Sequence, residues 1–261
     1  MLANETIQFE NADGVAILTI NRLGKKNAIT HEMWIAIRDL VAAAGNDGTT
    51  RALIIRGAGK DFSAGADITE FAELRGSEAS GRDYELTNSQ AFAALRNSPV
   101  PVIAAIRGTC IGGGFGVAAA ADIRIATADA VFAVPAAKLG LAYPADAMAD
   151  IVHATGEQMA RYLTFTGLRI DAAKALSTGF LLEIVDDEEL DARALFLAKE
   201  IAAHAPLSVR ASKAAIGAVL SGNEKDAENA RRLGDITFAS ADYAEGRAAF
   251  LQRRKPVFKG N

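Results

Sequence analysis

The chain has 261 residues, half of them hydrophobic and 23% charged, enough to bury one sizeable core with at most a small appendage. A formal net charge of −4 argues against a nucleic-acid surface, although basic residues collect in "RRKPVFK" near the C-terminus. Cys110 is the single cysteine, which rules out an intrachain disulfide and a cysteine-rich metal site and leans toward a reducing compartment.

Taken in chain order, "TIQFE" and "VAILTI" around "NADG" predict a hairpin on an Asp-Gly turn. Thr30 is placed to cap a helix through "HEMWIAIRDLVAAAG", in which Trp34, Ile37 and Val41 recur at helical spacing as core residues. "RALIIRG" reads as a short buried strand, followed by a loop, "AGKDFSAGAD". A polar stretch with Gly76 and Gly81, the expected mobile segment, leads into a helix around "LTNSQAFAALRNS". "PVIAAIRG" is a second buried strand, and "DIRIAT" and "AVFAV" are shorter ones, an alternation that predicts an α/β core. Beyond about residue 145 the pattern is nearly all helical, with Gly179 ending "DAAKALST" as a C-cap.

The N-terminus lacks a basic region followed by an apolar one, and no segment approaches the roughly 20 apolar residues of a membrane span. A cytoplasmic protein away from the membrane is therefore the expectation.

Two stretches share one design, "LIIRGAGKDFSAGADITEF" and "VIAAIRGTCIGGGFGVAAA": a buried strand, then small residues and glycine, then a helix N-terminus. Such loops present backbone N–H groups at the positive end of a helix. Neither meets the G-x-G-x-x-G dinucleotide pattern, and no G-x-x-x-x-G-K-[ST] occurs. Their uses are a phosphate cradle, an oxyanion hole built from two converging N–H donors, or tight turns alone. Ser63 lacks a G-x-S-x-G elbow and reads as a loop hydrogen-bonding residue; His31, His153 and His204 have no metal-ligand spacing.

"FSAGAD" at 62–67, "IRGTCIGGGFGVAAAADIRIA" at 106–126 and "FLQRRKPVFKG" at 250–260 resemble, in order and spacing, the crotonase or enoyl-CoA hydratase/isomerase superfamily. The resemblance implies an α/β fold, a crotonase-like spiral of ββα units with a helical C-terminal region: an acyl-CoA-binding core over 1–195 and a trimerisation region over 196–261. It also implies assembly as a homotrimer or dimer of trimers, with coenzyme A present only as part of the acyl-CoA substrate and no metal or permanent cofactor. By motif position the backbone N–H groups of Ala66 and Gly113 become the oxyanion hole for a thioester enolate. Lys25, Lys26 and Lys60, with the Ala64 backbone near the adenine, become coenzyme A contacts, and Phe250 and Arg253 reach a neighbouring subunit's coenzyme A.

The resemblance also exposes two gaps. Where the family's hydratases carry two glutamates, this chain has Gly116 and Ala136, and neither can transfer a proton. Tyr143, Asp146 and Asp150 follow close behind in "KLGLAYPADAMAD", and "LGLAY" resembles the tyrosine-bearing segment of methylmalonyl-CoA decarboxylase, although that enzyme has a histidine where this chain has Ala66. Three readings follow: an enolate-forming lyase or isomerase, a decarboxylase of a malonyl-type CoA thioester using Tyr143, and a non-catalytic coenzyme A-binding or assembly subunit.

Overall fold

The structure is a computed structural model that describes residues 6–261. Strands β1 (Ile7–Ala12) and β2 (Val15–Ile20) pair antiparallel about Asp13 and Gly14, both left-handed, as a two-residue hairpin turn requires. The Thr30 hydroxyl accepts the Met33 N–H at the start of α1 (His31–Asn46), which leads to β3 (Ala52–Gly57). After the short α2 (Phe71–Leu74), α3 runs from Glu78 to Arg96, longer than its sequence pattern suggests. Ser77 and Ser80 form a capping box there, so Gly81 and the polar stretch lie inside the helix rather than before it.

The chain continues through β4 (Val102–Ile106), β5 (Thr109–Ile111), α4 (Gly113–Ala119), β6 (Ile123–Thr127) and β7 (Val131–Ala133). α5 (Ala145–Thr155), α6 (Glu157–Thr166), β8 (Ile170–Asp171), α7 (Ala172–Ser177) and β9 (Glu183–Val185) follow. β8 and β9 interrupt the region expected to be nearly all helical; each is held only by pairing with an earlier strand. α8 (Leu190–Ala202), α9 (Pro206–Ser221), α10 (Glu224–Phe238) and α11 (Ala241–Leu251) complete the chain.

The larger sheet has the order β1-β2-β3-β4-β6-β9, parallel beyond the first pair, and the smaller one the order β5-β7-β8. Isolated bridges Ile29↔Ala66 and Ser63↔Cys110 extend the second row backward along the chain. Both rows advance in one direction with the sequence, so the fold winds as a spiral and lacks the strand-order reversal of a doubly wound sheet.

The near-continuous apolar runs of β3 and β4 reflect burial on both faces. Leu53, Ile55, Val102, Ala104 and Ile106 join the main core with Trp34 and Phe92, while Ala52, Ile54, Ile103 and Ala105 face Leu190, Ala194 and Ala198 of α8. The boundary expected after residue 195 thus falls inside a helix that packs on the sheet. α9 and α10 pack chiefly on each other. Lys213 of α9 ties them to the core through Asp122 at 2.7 Å and the Val100 carbonyl at 3.1 Å. The tail folds back on α11, where Asp242 accepts the N–H groups of Lys259 and Gly260.

Candidate active site

The two glycine-bearing loops meet. A Cβ on Gly65, at φ +94°, would lie 2.6 Å from the Ile111 carbonyl and 2.8 Å from the Gly113 nitrogen. A Cβ on Gly113 would lie 2.8 Å from the Trp34 ring and 3.3 Å from the Ala66 nitrogen. Only glycine at both positions lets the backbones approach this closely. Among the described residues, neither the Ala66 nor the Gly113 N–H has a hydrogen-bond acceptor, and both residues are only partly buried. Two unpaired donors thus sit side by side, the second at the positive end of α4.

The surrounding hydrogen bonds fix this juncture. Ser63 Oγ donates to the Asn27 carbonyl at 2.8 Å and accepts the Gly65 N–H, a loop-bracing role. Asn27 is buried and left-handed, and its side chain donates to the Ala58 and Asp61 carbonyls while accepting the Arg22 N–H. Nothing in the sequence pattern singles Asn27 out, because two of its three side-chain partners, Ala58 and Asp61, lie 31 and 34 residues further along the chain. At the far end of α4, Arg124 donates to the Ala118, Ala121 and Phe180 carbonyls. Burial lowers its pKa to about 10, still a cation, which suits the negative helix end.

Gly116 and Ala136, the positions that the resemblance sets against the family's glutamates, both follow the second donor along the chain. Gly116 is buried one turn into α4, and a Cβ there would lie 2.5 Å from the Tyr143 hydroxyl and 2.7 Å from the Phe92 ring. Tyr143 therefore fills the space that a side chain at 116 would need. Its hydroxyl donates to the Gly112 carbonyl at 2.9 Å, and burial pushes its pKa well above the usual phenol value. It is a hydrogen-bond donor at neutral pH and a poor base. Ala136 opens a short turn close by, since the Gly112 N–H donates to the Ala133 carbonyl, three residues earlier in the chain.

Asp146 is exposed in the first turn of α5 and accepts from Ser89 of α3 at 3.0 Å, a link between helices. Asp150, one turn on, is buried against Arg96 at 2.5 Å. Burial pushes its carboxyl up to about 6 over the opposing pull of Arg96.

Of the cationic positions, Lys26 and Lys60 share the Asp61 carboxylate as a neighbour, with Lys26 Nζ at 4.0 Å. The Ala64 N–H donates to the Lys26 carbonyl at 2.9 Å, so these residues form one exposed edge beside the Ala66 loop; Lys25 is exposed on the preceding turn. Phe250 and Arg253 are exposed at the end of α11 and just beyond it.

The enoyl-CoA hydratase/isomerase family profile matches residues 10–261. A crotonyl-CoA hydratase of Syntrophomonas wolfei is 34% identical over 262 residues, covering 98% of this chain and 99% of the relative. A (7aS)-7a-methyl-1,5-dioxo-2,3,5,6,7,7a-hexahydro-1H-indene-carboxyl-CoA hydrolase of Mycobacterium tuberculosis is 37% identical over 190 residues, 73% of this chain and 75% of that one. Among solved structures, an enoyl-CoA hydratase/isomerase family protein from Hyphomonas neptunium superposes with a TM-score of 0.92 at 36% identity, covering 97% of both chains. Full-length similarity in sequence and fold, carried through both glycine-bearing loops, makes this chain a member of the enoyl-CoA hydratase/isomerase family, the crotonases.

Proposed function

We propose that the protein binds an acyl-CoA thioester with its carbonyl oxygen between the Ala66 and Gly113 N–H groups and stabilises the enolate formed there, acting as a lyase or isomerase. The observation that carries this reading is the pair of unpaired backbone donors side by side on two converging loops. Relatives are named for both hydration and hydrolysis, so the reaction is decided by the side chains around the donors. On this reading the two-glutamate hydration mechanism lacks its proton-transfer groups, because positions 116 and 136 hold glycine and alanine. Gly113→Pro removes one donor and is expected to cut turnover about 100-fold or more. Gly113→Ala, which crowds Trp34 but keeps the N–H, separates steric from electronic loss. Unchanged turnover in Gly113→Pro would refute the reading, and absence of turnover of every acyl-CoA by the wild type would leave a binding or assembly subunit.

A second reading, decarboxylation of a malonyl-type CoA thioester, has its own support in Tyr143. Loss of CO₂ creates the enolate without a base, and a phenol that stays protonated suits the task of orienting the departing carboxylate once its O–H turns to it from the Gly112 carbonyl. Release of CO₂ from methylmalonyl-CoA, falling at least tenfold in Tyr143→Phe, is the expected result. Crotonyl-CoA hydration at full rate in Tyr143→Phe would exclude it.

Lys25, Lys26 and Lys60, with the Ala64 backbone, are proposed to hold coenzyme A at their exposed edge, where phosphate charge is met without burying a cation. Phe250 and Arg253 are proposed to serve the neighbouring subunit's coenzyme A in a homotrimer or dimer of trimers. The apolar surface of the C-terminal helices supports such an assembly: Val219 is 82% and Phe238 71% exposed in the single chain.

A further inference from the structure

The Gly113 N–H and the Gly112 C=O are the two ends of one planar trans peptide, so they point in opposite directions. Glycine flanks this peptide on both sides. Gly112, at φ +56° and ψ −118°, has the backbone of the first central residue of a type II′ turn, a conformation that glycine adopts and other residues avoid. A Cβ on Gly112 would meet nothing within 4 Å, so the space beside it is open. Rotation of this peptide would swing the second donor away from Ala66, and its plane has to be held from the carbonyl end.

Two hydrogen bonds hold it. The Gly112 carbonyl accepts the Gly116 N–H at 3.0 Å, the first bond of α4, and the Tyr143 hydroxyl at 2.9 Å. The preceding peptide is fixed separately, by the Gly112 N–H on the Ala133 carbonyl at 2.9 Å. Because carbonyl and N–H oppose each other, the phenol sits behind the donor, on the side away from an oxygen bound by Gly113. Tyr143 is itself held in place: it precedes Pro144 at the head of α5, and α5 is tied to α3 by Ser89 to Asp146 at 3.0 Å and by Arg96 to Asp150 at 2.5 Å. The Tyr143 hydroxyl and the Phe92 ring both occupy the space of a Cβ at Gly116, so a side chain there would push the phenol off the carbonyl. A hydrogen bond at a carbonyl draws charge through the amide and strengthens the N–H at its other end as a donor. Burial keeps the phenol protonated, so it goes on donating at neutral pH.

We propose that Tyr143 is a positioning residue that acts through the Gly112–Gly113 peptide, fixing its plane and polarising its N–H toward a thioester oxygen. Gly116 and Tyr143 then form one device, the glycine making room for the phenol that holds the donor. This rests on the acyl-CoA reading above, and the test separates the two.

The full-chain protein is saturated with butyryl-CoA isotopically labelled at the thioester carbonyl, whose infrared stretch moves to lower frequency as hydrogen bonds draw charge onto the oxygen. The wild type is expected to lower the frequency, and Gly113→Pro to remove most of that shift. Tyr143→Phe should keep the affinity within about tenfold of the wild type and give back at least about a fifth of the shift. Tyr143→fluorotyrosine, a more acidic phenol of nearly the same size, should enlarge the shift, and decides the matter if Tyr143→Phe does not fold. A tyrosine that served packing alone would leave the carbonyl frequency unchanged, as would one whose hydroxyl serves only a departing carboxylate, since butyryl-CoA has none. A shift that neither Tyr143 variant alters but Gly113→Pro removes overturns the proposal and leaves the acyl-CoA reading intact. A wild type that binds butyryl-CoA with no shift, or does not bind it, overturns both.

Discussion

At Gly116 a residue without a side chain and a residue with a large one share a single volume. The Tyr143 hydroxyl occupies the place of a Cβ, so putting even a methyl group at 116 forces the phenol or the Phe92 ring to move. Gly116→Ala is expected to destabilise the protein by roughly 1–3 kcal/mol, and Tyr143→Ala to restore part of that loss. Chemical denaturation of the two single variants and the double variant measures the coupling; strictly additive effects would mean that the two positions do not compete for space. Placing a glutamate at 116 alone would therefore fail for want of room before its chemistry was tested.

Two carboxylates around the site respond to pH in opposite senses. Burial pushes Asp67 up, but hydrogen bonds from Thr69 and the Arg22 pair outweigh it and hold the carboxyl at about 2, below its ordinary 3.8. Its stabilisation is complete above pH 3.8 and is lost as pH falls through about 2. Asp150 is raised from 3.8 to about 6, so ionising it in the folded state costs stability as pH rises between those values. Asp67→Asn should flatten the acid limb of a stability-against-pH curve, and Asp150→Asn the declining limb between the ordinary carboxylate range and about 6. Identical curves for variant and wild type in those windows would contradict the assignment.

Among the elements, the loop over 22–29 carries most of the burden of placing the first donor. Ile29 exchanges backbone hydrogen bonds with Gly65 and Asp67 on either side of Ala66, and Asn27 braces the same loop against Ala58, Asp61 and Ser63. Asn27→Ala leaves two buried carbonyls without donors and keeps a left-handed backbone that alanine disfavours. A loss of about 2–4 kcal/mol is expected, together with reduced turnover at temperatures where the variant is still folded. Thr30→Ala, which removes only the cap of α1, should cost about 1 kcal/mol with turnover preserved. If the two variants affected turnover alike, the loop would have no special part in positioning Ala66.

At the scale of the whole molecule, the spiral sets a catalytic core against helices that bury little of their own apolar surface. Phe250 is 84% and Leu251 80% exposed, a degree of exposure that a solitary soluble chain rarely tolerates over a contiguous patch. Light scattering is expected to give the mass of three or six chains, and Val219→Asp with Phe238→Asp to lower that mass. A monomer at micromolar concentration, fully active, would exclude any contribution of Phe250 and Arg253 to a neighbour's site.

Much was legible from local chemistry. The Asp-Gly hairpin, the Thr30 cap and the doubly buried strands β3 and β4 follow from turn geometry, capping and apolar runs, which act over a few residues. The small residues of both loops, and the absence of ionisable groups at 116 and 136, were equally plain in the sequence. Strands β8 and β9 were not, because each exists only through a partner far away in the chain. Nor was the length of α3, since a Ser77–Ser80 box offsets a glycine that reads as a break. Trp34 and Tyr84 carry no mark in one dimension to separate them from ordinary core residues. Only packing α1 against α3 brings Trp34 and Tyr84 together, and only the meeting of two loops brings the Ala66 and Gly113 donors together. Sequence determined which groups were available and which were missing; tertiary structure decided which of them meet, because hydrogen-bond satisfaction depends on contacts between segments distant along the chain.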